Sequence, residues 1–201
     1  MRNSPADDVL SWFDEARHVG KEREYDAMTL ATVDPTGCPA ARVVICKAIE
    51  SDPIAIIFFT TYDSRKAQHL DLSPHAAAVF YWPALRRQMR IQGCATRLTV
   101  EENDAHFDAM SRARRAHATA QVGDGRPSVV YARQVLGELF GGRTPARPSL
   151  WGGYRLVAHT VEFWSAGTGP RGNRTRWIWK ATESHSSGLS GWYLECLKAM
   201  E

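Results

Sequence analysis

Two segments of the chain place basic side chains at the ends of predicted strands, where cations can bind an anionic ligand. Arg42 and Lys47 stand at the two ends of an apolar segment that favours a strand. Residues 59–66 run from a predicted strand into a predicted helix start, where hydroxyl groups precede Arg65 and Lys66. Hydroxyls, the free N–H groups of a first helical turn and two adjacent cations can together hold a phosphate. Phosphate binding is therefore the first chemistry that the sequence predicts.

Gln88 adds a different kind of contact. It follows Arg86 and Arg87 at the start of a long predicted strand, and its amide can both donate and accept hydrogen bonds. Such a group suits the edge of a heteroaromatic ring. Each basic segment taken alone is also typical of solvated charges at strand ends. Together they indicate a β-barrel protein with an anionic ligand, and their spacing alone goes no further.

The elements that must position these residues are mainly strands. Hydrophobic periodicity predicts a single domain, residues 1–201, that is mainly β with flanking helices, the first of them within residues 1–25. About eight strands with few helices favour a closed antiparallel barrel, because closure removes exposed sheet edges. The predicted strands are residues 28–33, 40–47, 54–60, 76–82, 88–98, 154–157 with 161–164, 176–180 and 192–197.

Helices are predicted between and before the strands. Their predicted bounds are residues 4–23, 64–72, 101–110 and 128–140. The hydroxyl of Ser64 is expected to cap the N–H groups at the start of the second of these helices. Segments 111–127 and 165–175 are rich in Arg, Ala or Gly, and both are predicted to be mobile loops.

Composition excludes several other classes of protein. Hydrophobic residues make up 44% and charged residues 23% of the chain, which argues against wholesale disorder. The four cysteines are scattered without metal-ligand spacing, so reduced thiols and no metal are expected. No signal peptide or membrane-spanning run is recognisable, which predicts a cytoplasmic protein without a membrane partner. A net charge of +3 is the one feature that suits nucleic acid, and without a recognition motif no nucleic-acid partner is expected.

Five ordered segments of the sequence resemble the signature segments of the pyridoxamine 5'-phosphate oxidase family. The segments are Ala41-Arg42-Val43-Val44-Ile45-Cys46-Lys47, residues 59–66, residues 80–88, Trp151-Gly152-Gly153-Tyr154-Arg155-Leu156 and Val161-Glu162-Phe163-Trp164. The resemblance covers roughly residues 28–180. It implies an FMN-binding split β-barrel that forms a homodimer, with FMN at the subunit interface.

The resemblance also implies which residues bind FMN and substrate. The residues expected to bind FMN are Arg42, Val43, Val44, Lys47, Phe59, Thr60, Arg65, Lys66, Gln88, Gln134, Trp164 and Arg176. The residues expected to bind substrate are Lys47, His106, Arg115, Arg171 and Asn173. Arg65 and Lys66 would hold the FMN phosphate, and Gln88 would contact the isoalloxazine. No residue is assigned as catalytic, because hydride transfer to FMN depends on positioning rather than on acid–base groups.

The substrate segments depart from the family pattern. The family's Arg-Leu-His is present only as Arg171-Gly172-Asn173, without the imidazole, and His106 stands where the family has Tyr. We therefore expect an FMN-dependent oxidase that passes electrons from an amine or a partly reduced N-heterocycle to O2, giving H2O2. A specialised substrate is favoured, similar to those of the phenazine-biosynthesis oxidases. Two alternatives stay open: a housekeeping pyridoxamine or pyridoxine 5'-phosphate oxidase, and a non-catalytic flavin- or haem-binding split-barrel protein.

Overall fold

The structure, a computed structural model, describes residues 4–19, 25–122, 126–127, 137, 146–167, 172–181 and 190–195. The helices are α1 (Ala6–Val19), α2 (Arg65–Leu72), α3 (Val100–Asp108) and α4 (Arg112–Ala120). The strands are β1 (Ala27–Val33), β2 (Pro39–Ser51), β3 (Ile54–Thr61), β4 (His75–Trp82), β5 (Arg87–Arg97), β6 (Gln121–Val122), β7 (Arg126–Pro127), β8 (Trp151–Ser165), β9 (Asn173–Lys180) and β10 (Gly191–Glu195).

Six antiparallel strands form a closed barrel. Their order is β8-β3-β2-β1-β4-β5, and β5 pairs with β8 again to close the ring. Strands β9 and β10 extend the sheet beyond β8, while β6 and β7 form a separate two-stranded sheet. The predicted mainly-β barrel with flanking helices is confirmed. Among the helices of the described residues, none has the length and apolarity needed to cross a membrane.

The barrel forms around alternating apolar side chains. Met28 and Leu30 of β1 point inwards and are fully buried, as the period of two along a strand requires. Residues 54–58 of β3 are all buried, and Ile54, Ile56 and Phe58 among them belong to the main hydrophobic core. The α1 helix packs on the barrel through edge-to-face contacts of Trp12 with Phe163 and of Phe13 with Phe80.

Two β-bulges interrupt the ladder. In β2, Cys46 pairs with Phe58 and Ala48 pairs with Ile57, so Lys47 is the extra residue. In β8 the register shifts in the same way around His159. A bulge turns a side chain out of the regular alternation and is often found beside functional sites. The first bulge therefore leaves Lys47 without a partner residue on β3, on the exposed side of β2.

Several predicted elements differ from those observed. The strand predicted in two pieces at 154–157 and 161–164 is one continuous strand, β8. The loop predicted at 111–127 contains helix α4 and the small strands β6 and β7, because arginine and alanine favour helix even without an apolar stripe. Ser64 stands at the N-cap of α2, but its side chain makes no capping hydrogen bond. The helix predicted at 128–140 lies outside the described residues apart from Gly137.

Gly93 permits the close approach of β5 and β8 at the second bulge. A Cβ atom at this position would overlap the carbonyl oxygen of Val157 and lie 2.7 Å from its carbonyl carbon. Gly93→Ala should therefore lower the free energy of unfolding by about 2 kcal/mol or more, because backbone atoms must move to make room.

Urea denaturation of the variant measures this effect. Gly191→Ala is the control, since a Cβ there meets nothing within 4 Å, and its effect should stay within about 0.5 kcal/mol. Equal stabilities for the two variants would show that the β5–β8 junction is not tightly packed at Gly93.

Candidate functional site

A cavity of about 1090 Å³ opens between the barrel and helices α2, α3 and α4. Small-molecule sites usually measure about 300–1,000 Å³, so this cavity is large enough for a ligand of cofactor size. Six of the residues that the sequence assigns to FMN or substrate line it: Val43, Val44, Lys47, Phe59, Lys66 and His106. The structure thus brings residues from three separate segments of the sequence to one place.

One corner of the cavity is built like a phosphate site. Lys66 donates a hydrogen bond to Thr60 Oγ1 over 3.1 Å, and Ser64 Oγ lies 3.3 Å from the same oxygen. All three residues meet at the N-terminus of α2, where backbone N–H groups of the first turn lack helical partners. Arg65 is exposed beside them. Cation, hydroxyls and helix N-terminus together suit a phosphate.

An aromatic stack forms one wall of the cavity. The ring of Phe59 lies 3.8 Å from that of His106 and 4.8 Å from that of Trp151, with interplanar angles of 14° and 10°. The rings of His106 and Trp151 are also nearly parallel, with 6.2 Å between their centroids. Gly153 makes this stack possible, because a Cβ there would lie 2.9 Å from Phe59 Cε1. The stack presents a rigid apolar surface suited to a flat ligand.

His106 is electrically neutral at pH 7 in this environment. Burial lowers the pKa of its imidazole below the ordinary value of 6.5, and the nearby charge of Lys47 lowers it further. The ring can therefore donate or accept a hydrogen bond without adding a charge.

The remaining polar lining of the cavity is basic. Lys47 and Lys66 come from the barrel and α2, while Arg114 and His117 come from α4. No carboxylate of the described residues lines the cavity, and these residues contain no cluster of His, Cys, Asp and Glu that could hold a metal ion. The cavity thus favours an anionic ligand.

A second group of predicted residues lies on β5, β8 and β9. Gln88 pairs with Trp164 across the sheet, and Trp164 pairs with Arg174. Directly paired residues share one face of a sheet, so these three side chains are neighbours. Trp151 of the cavity and Trp164 lie at opposite ends of β8, separated by roughly 40 Å of strand at about 3.3 Å per residue. The second group therefore does not belong to the cavity of its own chain.

A buried carboxylate organises the arginines beside this group. Glu162 is 3% exposed and accepts hydrogen bonds from Arg90 at 3.1 Å and from Arg176 at 2.8 Å. Arg174 lies 3.5 Å from the same carboxylate. Arg176 also donates to Glu195, and its hydrogen bonds to Glu162 raise the pKa of its guanidinium. The guanidinium of Arg176, expected to bind FMN, is thus paired with carboxylates of its own sheet.

Three other predicted site residues are found away from the cavity lining. Arg42 turns towards β1 and donates to Leu30 O and Thr32 Oγ1. Arg115 holds the end of α3 through Met110 O and the backbone and side chain of Asp108. Asn173 is exposed at the start of β9. Gln134 and Arg171 lie outside the described residues.

The sequence interpretation missed part of the lining. Arg114 and His117 are three residues apart on α4, so they share one helix face that borders the cavity. This spacing would have identified them had residues 112–120 been interpreted as a helix. Trp151, which belongs to the fourth signature segment and was not assigned to the site, is buried and also lines the cavity.

Comparisons with known proteins identify relatives of this chain. A family model described as pyridoxamine 5'-phosphate oxidase matches residues 18–138, more than half of the chain. The pyridoxine/pyridoxamine 5'-phosphate oxidase of Bordetella avium is 39% identical over 196 residues, which cover 96% of this chain and 89% of its own.

Two solved structures share the fold. PhzG from Burkholderia lata, in complex with tetrahydrophenazine-1-carboxylic acid, superposes with a TM-score of 0.82 and 27% identity over 98% of this chain and 94% of its own. A pyridoxamine 5'-phosphate oxidase-related, FMN binding protein from Nostoc punctiforme has a TM-score of 0.70 and 20% identity over 98% of each chain. The resemblance that the five sequence segments predicted is confirmed.

The phosphate corner yields a direct prediction. Lys66→Ala should weaken FMN binding about ten- to a hundredfold, because a hydrogen bond to a charged group contributes about 1.5–3 kcal/mol. Quenching of FMN fluorescence during titration of the FMN-free protein measures the affinity. Lys180→Ala is the matched control, since it removes the same charge from an exposed position on β9. Equal affinities for the two variants would contradict the assignment of this corner.

Proposed function

The chain belongs to the pyridoxamine 5'-phosphate oxidase family, and from this premise we propose that it oxidises a planar, partly reduced N-heterocycle that carries an acid group. FMN is the cofactor, and the protein is an oxidoreductase. The proposed substrate is of the phenazine-precursor type, with O2 as the final electron acceptor and H2O2 as the second product. The observation that carries the proposal is the neutral, stacked His106 in a cavity that is otherwise basic.

The described residues fit FMN. Thr60, Ser64 and Lys66 offer hydroxyls and a cation at the N-terminus of α2, and Arg65 adds a second cation for the phosphate. The cavity volume of about 1090 Å³ is large enough for a ligand of cofactor size. The Phe59 stack and the apolar side chains of Val43 and Val44 offer surfaces for flat rings.

The chain's own residues bind and orient the substrate. When bound, FMN would supply the redox chemistry, namely acceptance of a hydride from the substrate and transfer of two electrons to O2, which with two protons gives H2O2. Lys47 and Arg114, which both line the cavity, would bind the acid group of the substrate. The stacked rings of Phe59 and His106 would exclude water from one side of the substrate. Holding a reactant in one orientation supplies much of the rate of such a reaction.

Two features favour a specialised substrate. Neutral His106 replaces the tyrosine of the family pattern, and Asn173 stands where that pattern has an imidazole. The residues expected to contact the substrate therefore differ from those of the family pattern. PhzG, 27% identical over 98% of this chain, was solved with tetrahydrophenazine-1-carboxylic acid. That compound is a partly reduced N-heterocycle with a single carboxylate, which matches a site with cations and a neutral imidazole.

A second candidate is pyridoxine or pyridoxamine 5'-phosphate. It is favoured by the 39% identity with the oxidase of Bordetella avium, which extends over 96% of the chain. Lys47, the lysine that the family pattern places on the substrate phosphate, lines the cavity. A phosphate dianion would gain from Lys47 and Arg114 but not from the neutral His106.

We further propose that FMN binds between two copies of the chain. Gln88 and Trp164 do not line the cavity of their own chain, although the family resemblance assigns both to the FMN site together with residues of the cavity. A second copy related by a twofold axis could place its Gln88–Trp164 group against the first copy's cavity. Each of the two sites would then contain both groups.

An exposed apolar face supports this dimer. The outward residues Thr29, Ala31, Val43, Val79 and Tyr81 lie on adjacent strands β1, β2 and β4. Val43 is 68% and Tyr81 is 59% exposed. The face runs from Val43, which lines the cavity, to Tyr81, which pairs with Gln88. A contiguous apolar surface of this kind is typical of a protein interface.

Anaerobic bleaching of the flavin absorbance band tests the proposed substrate class. Tetrahydrophenazine-1-carboxylic acid should bleach the band faster than pyridoxamine 5'-phosphate or pyridoxine 5'-phosphate, because its carboxylate and flat ring match the cavity. Admitting O2 should restore the band and release one H2O2 per substrate oxidised. Bleaching by the B6 phosphates alone would establish the second candidate, and bleaching by none of the three would contradict both.

His106 should give substrate binding a defined pH dependence. Because the lowered pKa of His106 makes its ring cationic only at acidic pH, the KM for a carboxylate substrate should fall about two- to fivefold from about pH 8 to about pH 5. His106→Phe keeps a ring against Phe59 and should abolish this change. His117→Phe, which removes the imidazole outside the stack, is the control and should retain it. An unchanged pH profile in His106→Phe would contradict the role.

A further inference from the structure

A row of three hydrogen-bonded side chains joins helix α2 to strands β1 and β2 inside the protein. His69 Nδ1 of α2 lies 3.0 Å from Thr32 Oγ1 of β1. Arg42 Nη1 of β2 donates to the same hydroxyl oxygen over 2.8 Å and to Leu30 O over 3.0 Å. Thr32 is 1% and His69 is 5% exposed. Buried polar groups of this kind are costly unless they are hydrogen-bonded, so these contacts fix the geometry of all three side chains.

Thr32 Oγ1 is the shared atom of these contacts. A guanidinium can only donate, so Thr32 Oγ1 accepts from Arg42. The same oxygen is hydrogen-bonded to His69 Nδ1, and the imidazole tautomer determines which of the two atoms donates. The hydroxyl thus links a strand cation to a helix imidazole.

The two outer residues of this row, His69 and Arg42, lie on elements that carry residues proposed to bind FMN. His69 follows Lys66 by three residues on α2, so the two side chains lie near one another on the helix surface. Arg42 immediately precedes Val43 and Val44, which line the cavity. The contacts of Thr32 therefore fix α2, with its phosphate-binding N-terminus, relative to Arg42 of β2.

We propose that His69 and Thr32 are positioning residues for the FMN phosphate: they hold the guanidinium of Arg42 and the N-terminus of α2 in one fixed arrangement. The inference rests on the FMN site proposed above. It assigns a role to two residues that do not line the cavity. We do not expect these residues to affect binding of the isoalloxazine end of the cofactor, because their contacts involve only β1, β2 and α2.

Comparing FMN with riboflavin tests the proposal, since riboflavin lacks the phosphate. Thr32→Val removes the hydroxyl and keeps the shape of the side chain. His69→Leu removes the imidazole, whose Nδ1 is hydrogen-bonded to that hydroxyl. Each should weaken FMN binding at least about tenfold. Each should change riboflavin binding by less than about twofold. Titration of the FMN-free protein with both flavins, followed by fluorescence, gives the two affinities.

Conservative variants provide the matched controls. Thr32→Ser retains the hydroxyl and His69→Asn retains a hydrogen-bonding group near the position of Nδ1, so both should retain most of the FMN affinity. In an Arg42→Met background, Thr32→Val should have a smaller effect on FMN binding than in the unaltered protein, because the contact between Thr32 and Arg42 is already lost and only the contact with His69 remains. Additive losses in the double variant would overturn the proposal.

Each further outcome also has a defined meaning. Equal loss of FMN and riboflavin affinity in Thr32→Val would show a general structural role and overturn the proposal, and so would unchanged FMN affinity. If the unaltered protein bound riboflavin as tightly as FMN, the phosphate site itself would be wrong. Failure of the proposed function and failure of the positioning role are therefore distinguishable. Circular dichroism of each variant verifies that it is folded.

Discussion

The backbone pairing of β8 with three other strands determines how the rest of the molecule is arranged. Its first half pairs with β3, almost its whole length pairs with β5, and its second half pairs with β9. Closure of the barrel depends on the β5 pairing, which Gly93 and the bulge at His159 allow. Because Trp151 and Trp164 lie near opposite ends of this strand, β8 also sets the separation between the cavity and the Gln88 group.

The cavity and the Gln88–Trp164 group are both surrounded by positively charged side chains. The cavity contains Lys47, Lys66 and Arg114 without a lining carboxylate among the described residues. The second group has three guanidiniums around Glu162. Both surfaces are therefore rich in cations, and two such surfaces brought together repel one another unless an anion lies between them. Cofactor binding and dimer formation are thus expected to stabilise each other, since the FMN phosphate can supply that anion.

The sequence predicted most of the strands and six of the residues that line the cavity, because both depend on local patterns. Runs of apolar residues marked β1, β3 and β4, and the segment around Lys66 combines hydroxyls and cations at a predicted helix start. Other features depend on contacts between distant residues. The stacking of His106 on Phe59, the pairing of Arg176 with Glu162 and the Thr32–His69 contact join residues far apart in the chain. Helix α4 was missed because its helical signal is propensity without an apolar stripe.

The central claim is that each FMN site is shared by two copies of the chain, since β8 keeps the two groups of site residues apart. Native mass spectrometry of the purified yellow protein tests this most directly, because it counts chains and cofactors in the same particle. The account predicts particles of two chains with two FMN molecules, and single chains without FMN after dilution. FMN retained on single chains, or a colourless protein that does not take up FMN, would contradict it.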